Sequence, residues 1–249
     1  PGANASIGGM VANNAAGTRT VRYGATRDNV LALEVVLANG EIIRTGSRSV
    51  KQSAGYDLTH LLIGSEGTLA LITEATLKLH PLPEHFSAAL ATFNTTSEAA
   101  NAVYAIIGSG LNPAALEILD AKAISYMNVL DSVNLPEKPT LLMEFHGATQ
   151  NAIAAELELV EQLCAECAST RFEAGVGRDE RNRLWEGRHA LGEILFRVHP
   201  DSTYLLTDVS VPISKYPDLM SYADSLQQDL NIEGTLFGHA GDGNLHTTT

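Results

Sequence analysis

The sequence predicts an α+β protein built in two parts, and three observations carry that reading. Along the second part, short strand-like and helix-like segments alternate with short links, the pattern of helices laid on one face of a sheet. The first part instead holds 10 of the 21 glycines and strand-like segments around an Asn-Gly turn signal. Charge also shifts between them: residues 1–80 carry 7 basic and 6 acidic side chains, whereas residues 81–249 carry 9 basic and 23 acidic. The Pro-containing stretch His80-Pro81-Leu82-Pro83 places the boundary near residue 84.

Taken in order, Val30 to Leu37 and Glu41 to Thr45 are β-branched and apolar enough for strands. Ala38-Asn39-Gly40 between them predicts a hairpin. A second strand pair is expected around Gly64-Ser65-Glu66-Gly67, with Leu69 to Ile72 and Ala75 to Leu79 following it. The second part reads as strand Ala88 to Phe93, helix Ser97 to Ile107, strand Ala114 to Leu119 and a helix near Lys122 to Met127. Strand Thr140 to His146 and helix Gln150 to Ala168 come next, and a helix from about Asp179 to Arg197 follows. Ser97 is the expected N-cap and Gly108 the expected stop of the first of these helices. No internal repeat or low-complexity tract is visible.

Composition excludes several classes of function. With 249 residues and 45% hydrophobic content, the chain can bury a real core. A formal charge of −13 leaves a phosphate-tracking nucleic-acid role without electrostatic footing. No apolar run reaches the length of a membrane-spanning helix, and no secretory leader opens the sequence, so a soluble chain is expected. Two cysteines do not make a disulfide scaffold and suit a reducing compartment. A near-neutral, glycine-rich first part is where backbone N–H groups can close on an anionic ligand.

The chemistry concentrates in Gly238-His239-Ala240-Gly241-Asp242-Gly243-Asn244-Leu245-His246. If Asp242 and Gly243 are the central residues of a two-residue turn, His239 stands directly opposite His246 and both imidazoles reach one divalent metal. A third ligand then has to come from elsewhere. The alternative is a glycine-rich loop whose histidines only hydrogen-bond. Arg188, on the helix that also presents Trp185 and Gly192, has the planar fork that suits a carboxylate, although most helical arginines face water. Cys164 and Cys167 form a lone Cys-x-x-Cys for which packing is the simpler reading. Gly175-Val176-Gly177 lacks the third glycine of a dinucleotide fingerprint. Glu144 and His146 share one strand face, as polar lining or as a satisfied pair.

These residues carry a family resemblance. Pro1-Gly2-Ala3, Ile7-Gly8-Gly9-Met10, Asn14-Ala15, Arg22-Tyr23-Gly24, Arg27-Asp28-Asn29-Val30, Gly55-Tyr56-Asp57-Leu58 and Gly64-Ser65-Glu66-Gly67-Thr68-Leu69 resemble the FAD-linked oxidases of the vanillyl-alcohol-oxidase type. That family includes D-lactate dehydrogenases, glycolate oxidase and D-2-hydroxyglutarate dehydrogenase. Arg183-Leu184-Trp185 with Arg188-His189, and Thr207 through Ser214, are most similar to its cytochrome-linked D-lactate branch.

The resemblance implies the later part of an FAD-binding domain over residues 1–84 and a substrate (cap) domain with an antiparallel sheet over 85–249. It implies FAD contacts from Ile7, Gly8, Gly9, Asn14, Gly17, Tyr23, Gly24, Gly64, Glu66, Gly67, Thr68, Leu69 and Ile72. It further implies a divalent metal, Zn or Mn, on His239 and His246, and a substrate carboxylate on Arg188. The implied reaction removes the C2 hydrogen of a D-2-hydroxy acid as hydride to the flavin. Thr248 stands where the 2-hydroxyglutarate enzymes have asparagine, which favours a smaller acid such as D-lactate. The implied electron acceptor is cytochrome c, a quinone or an electron-transfer flavoprotein, in the cytoplasm, peripheral to the inner membrane, or in mitochondria of a eukaryote. The family's earlier pyrophosphate-binding subdomain and its later Glu-His-Gly motif, source of a third ligand and a base, have no counterpart here. The chain is therefore expected to be a fragment, inactive alone.

Overall fold

The computed structural model describes residues 4–130, 133–176 and 178–249. The chain divides into two compact units, residues 1–82 and 83–249.

In the first unit, helix α1 (Ile7–Asn13) starts where the Ser6 hydroxyl accepts the Gly9 N–H. It ends at Asn14 in the left-handed region. A single turn, α2 (Thr20–Tyr23), leads to strands β1 (Val30–Leu37) and β2 (Ile42–Gly46), which pair antiparallel as the hairpin expected from sequence. The Gly40 N–H donates to Leu37 O and the Leu37 N–H to Glu41 O, so the connection is a type I turn closed by a Gly bulge.

Helix α3 (Leu58–Leu62), capped by Asp57, and strand β3 (Ala70–Leu77) complete the unit. The sheet order is β2-β1-β3. Two expectations change here. The stretch before Gly64 is helical, too short to show a helical period in sequence. The two segments expected after it are one strand, in which the register slips between Glu34↔Glu74 and Val35↔Ile72. Thr73 is the extra residue, and its hydroxyl donates to the Glu34 carbonyl at 3.1 Å. The bulge breaks the alternation that reads as a gap. Val11, Val30, Leu33, Val35, Leu62, Ile63 and Ala70 form this unit's small core.

The second unit runs β4 (His85–Thr92), α4 (Thr96–Gly108), β5 (Ala115–Leu119), α5 (Ala121–Met127), β6 (Thr140–Gly147) and α6 (Gln150–Glu166). It continues with β7 (Arg171–Val176), α7 (Arg178–Val198), β8 (Leu206–Ser210), α8 (Tyr216–Asp229), β9 (Thr235–Gly238) and β10 (Asn244–Thr248). All pairings of its seven-stranded sheet, ordered β7-β4-β6-β5-β9-β10-β8, are antiparallel.

Helices cover both faces, not one. Residues of α4, α6 and α8 pack on Leu116, Ile118, Leu141, Met143 and Phe145, whereas α5 and α7 pack on Leu90, Ala115, Leu119, Leu142 and Phe237. Strands β5 and β6 are accordingly buried on both sides and read as continuous apolar runs rather than as alternation. Helix α4 is capped by Thr95 and not Ser97: the Thr95 hydroxyl accepts the Glu98 N–H, and the Glu98 carboxylate reaches back to the Thr95 N–H. The edge strands β7 and β8 carry polar residues among apolar ones, so neither is legible as a strand from its sequence.

Candidate functional site

In the first unit, the two glycine-rich segments expected to share a ligand meet. The Gly64 N–H donates to Val11 O at 3.0 Å and the Glu66 N–H to Ala12 O at 2.9 Å. Gly64 lies at φ +80°, and a Cβ there would stand 3.1 Å from the Asn14 Cβ, so only glycine allows this approach. Gly8 and Gly67 face open space, and Ile7 and Leu69 beside them are exposed apolar side chains. Open backbone next to exposed hydrocarbon fits a ligand with an anionic and an aromatic part. Asn14 Oδ1 accepts the Arg27 N–H, and the Thr20 hydroxyl accepts the Gly17 N–H, so these two join the same framework. Thr68 donates to Ser65 O within its loop. Tyr23 meets His80 edge-on just before Gly24, and Ile72 packs against the core.

In the second unit, β5, α7 and the β9–β10 connection build one polar cluster. Glu117 stands at the centre of β5, fully buried. Its Oε2 lies 2.7 Å from Arg188 Nη2 on α7, and its Oε1 lies 2.7 Å from His239 Nδ1 just past β9. Burial pushes the Glu117 carboxyl upward, but Arg188 and His239 outweigh it and hold the group below the usual carboxylate range. Arg188 is buried with its guanidinium 4.9 Å over the Phe237 ring, which rules out a solvated arginine. Its Nε has no hydrogen-bond partner among the described residues.

The two histidines meet, by a register other than the expected one. His246 pairs with Phe237 across β9–β10, and the Asn244 N–H donates to His239 O. The connection is a helical turn over Ala240–Asp242 followed by Gly243, not a two-residue Asp-Gly turn. Gly243 has φ +79°, and a Cβ on it would stand 2.1 Å from Val211 O, so a loop of this shape demands glycine. A shift of two residues preserves the face. His239 and His246 are thus diagonal neighbours with ring centroids 5.2 Å apart at 88°.

His239 Nδ1 faces Glu117, and His246 Nδ1 lies 3.7 Å from Asp208 Oδ1. The Glu117 carboxylate on His239 Nδ1 leaves that ring's Nε2 as a lone-pair donor, the kind of ligand atom a borderline divalent cation takes. Burial keeps His246 below its ordinary range, in the neutral form a metal requires. Among the described residues, no group of three His, Cys, Asp or Glu side chains gathers as a metal site. Burial also pushes Asp242 up to about 6 and Tyr216 well above its usual range.

Residues 82–249 match the family described as FAD linked oxidases, C-terminal domain, and residues 2–46 match an FAD binding domain. The chain belongs to the FAD-linked oxidases. It is 39% identical over 247 residues to the mitochondrial cytochrome-type D-lactate dehydrogenase of Arabidopsis thaliana, covering 99% of this chain and 43% of that protein. It is also 39% identical over 249 residues to a probable mitochondrial D-lactate dehydrogenase of Danio rerio, covering 99% and 50%. The glycolate oxidase subunit GlcD of Bacillus subtilis is 39% identical over 245 residues, with 98% and 52% covered. The chain spans about half the length of these curated relatives. Among solved structures, an alkyldihydroxyacetonephosphate synthase superposes with TM-score 0.71 at 18% identity (97% of this chain, 50% of that one). p-Cresol methylhydroxylase also gives TM-score 0.71, at 15% identity (98% and 54%), and both likenesses concern fold.

Sequence reasoning about this FAD-linked oxidase missed Glu117. The available signal was a lone carboxylate inside Ala114-Ala115-Leu116-Glu117-Ile118-Leu119, a strand otherwise apolar on both faces. It also missed Arg181. That residue reaches the buried Glu144 with Nε at 2.8 Å, while His146 Nε2 lies 2.6 Å from the same carboxylate, so Glu144 and His146 belong to an ion cluster. Cys164 is buried, with its thiol pushed up to about 12, which agrees with packing. Gly177 lies outside the described residues.

Proposed function

We propose that the protein oxidises a D-2-hydroxy acid, D-lactate to pyruvate, with FAD as the acceptor and a divalent ion assisting. One observation carries the reading: a single buried carboxylate, Glu117, holds both the arginine suited to a substrate carboxylate and one of two adjoining imidazoles. Arg188 would bind the acid's carboxylate, with the Phe237 face beneath the guanidinium limiting its swing. His239 and His246 would hold the ion, Zn or Mn. The burial around them keeps bulk water from the charges, which strengthens each contact. In the first unit, the segments 7–17 and 64–69, with Tyr23, Gly24 and Ile72, would line FAD. When bound, the ion polarises the substrate hydroxyl and lowers its pKa, and FAD takes up the C2 hydrogen with its electron pair.

The proposal extends to an FAD-binding part over residues 1–84 and a substrate part over 85–249. It includes a cytochrome as the electron acceptor, as the names of the cytochrome-type relatives suggest, and mitochondrial residence if the source is eukaryotic. No helix of the described residues is long and apolar enough to cross a membrane. Glycolate is the second substrate to weigh, since the GlcD relative is as similar as the D-lactate enzymes.

Anaerobic mixing of the full-length protein with D-lactate, L-lactate or glycolate, followed by flavin absorbance, tests this. Bleaching by D-lactate and not by L-lactate is expected. Bleaching by L-lactate alone would overturn the stereochemical assignment, and faster bleaching by glycolate would transfer the assignment to the shorter acid.

A further inference from the structure

Glu117 stands where an apolar strand has no packing need for a charge. Leu116, Ile118 and Leu119 around it are buried hydrocarbon, and a carboxylate among them gives up its hydration. Such a group persists only where partners compensate it. Here the partners come from two different elements: Arg188 from α7 and His239 from the connection after β9. Each oxygen serves one of them, so a change at this one carboxylate reaches both partners.

The chemistry of the two contacts is directional. A carboxylate at His239 Nδ1 makes that nitrogen carry the hydrogen and leaves Nε2 as the lone-pair donor, on a ring whose centroid lies 5.2 Å from that of His246. The other oxygen draws one corner of the Arg188 guanidinium toward β5, and its central carbon lies 4.9 Å from the centre of the Phe237 ring. The ion pair on one side and the ring on the other hold the fork in place.

We propose that Glu117 is the positioning residue that sets both the imidazole of His239 and the guanidinium of Arg188, so that divalent-ion affinity and hydroxy-acid affinity depend on one side chain. This rests on the roles of Arg188, His239 and His246 proposed above. Glu144 provides an internal comparison. It is a buried carboxylate on the same sheet face, diagonal to Glu117, and is likewise paired to an α7 arginine, but neither imidazole of the proposed metal pair contacts it in the ion pairs seen.

The test uses the full-length protein and two readouts, zinc ion titrated alone into metal-free protein and steady-state kinetics with D-lactate. In Glu117→Gln, the volume is kept and the charge is lost. Zinc affinity is expected to fall about 10–100-fold and the KM for D-lactate to rise about tenfold or more, with flavin content unchanged. Glu144→Gln should leave zinc affinity within about twofold, since an outer partner matters only through the ligand it touches. Glu117→Asp keeps the charge but is one methylene short of spanning both partners, and it should restore one readout more than the other.

Unchanged zinc affinity and KM in Glu117→Gln would overturn the assignment, as would an equal zinc defect in Glu144→Gln. Failure of both Glu117 variants to fold would also overturn it, by reducing the residue to a structural ion pair. A wild-type protein that binds zinc but oxidises no 2-hydroxy acid would defeat the functional reading, while the zinc comparison would still decide the role of Glu117 toward His239.

Discussion

At the residue scale, the site rests on polar groups whose burial forces them into fixed partnerships. Arg188 retains its charge in Arg188→Lys but loses the planar fork. We expect kcat/KM for D-lactate to fall by about tenfold to a hundredfold, with flavin content unchanged; wild-type kinetics would remove Arg188 from the site. His239→Ala and His246→Ala should each abolish stoichiometric divalent ion while leaving flavin bound, since the residues proposed to line flavin lie in the other unit. Retention of full metal by both variants would end the two-imidazole reading. The two histidines stood out in the sequence through the spacing of the Gly-His-Ala-Gly-Asp-Gly-Asn-Leu-His run, whereas Arg188 was singled out only through the family resemblance. Glu117 was not, because one glutamate in a strand has no motif, and its meaning comes only from what α7 and β9 bring to it.

Elements follow their end groups closely. Asp120 caps α5 by accepting the Ala123 N–H, and its other oxygen accepts the Leu236 N–H from β9. Burial pushes this carboxyl up to about 6 against those two donors. A carboxyl raised in the folded state is stabilising in its protonated form, so its contribution is full below the unfolded pKa and is lost as pH rises through about 6. The stability difference between wild type and Asp120→Asn should therefore move in favour of the variant by ~2 kcal/mol between pH 4 and pH 7. Denaturant titrations at the two pH values measure it, and a pH-independent difference would refute it. Helix α4 offers a second test: Thr95→Ala should cost about 1 kcal/mol, and Ser97→Ala should stay within ~0.5 kcal/mol. Equal costs would mean that the helix starts at the residue the sequence favours. Ser97 was a reasonable reading because both residues are capping types, and only the reciprocal bond from Glu98 selects Thr95.

For the molecule as a whole, the two units differ in how much apolar surface they bury. The first has a core of small extent with Ile42, Tyr56, Leu61 and Leu71 exposed, whereas the second encloses its central strands between helices on both faces. Stability scales with such burial. In flavin-free protein, backbone amides of β1 and β3 should therefore exchange with deuterium faster than those of β5 and β6, by orders of magnitude. Equal protection in both sheets would show that the small core is not the weaker one. Charge follows the same division, since residues 1–80 carry a net +1 and residues 81–249 a net −14.

Local chemistry sufficed for the two-part α+β organisation, the first hairpin, most helices of the second part and the family itself, because turn residues, periodicity and short motifs act over a few positions. Tertiary structure alone decided the rest. It joined two strand-like segments through the Thr73 bulge, placed helices on both faces of the larger sheet, and shifted the β9–β10 register so that His239 and His246 meet diagonally. It also set Glu117 between Arg188 and His239. Each of these depends on partners distant in sequence: the cost of burying a strand face, a carbonyl or a carboxylate is set by whatever the fold packs against it.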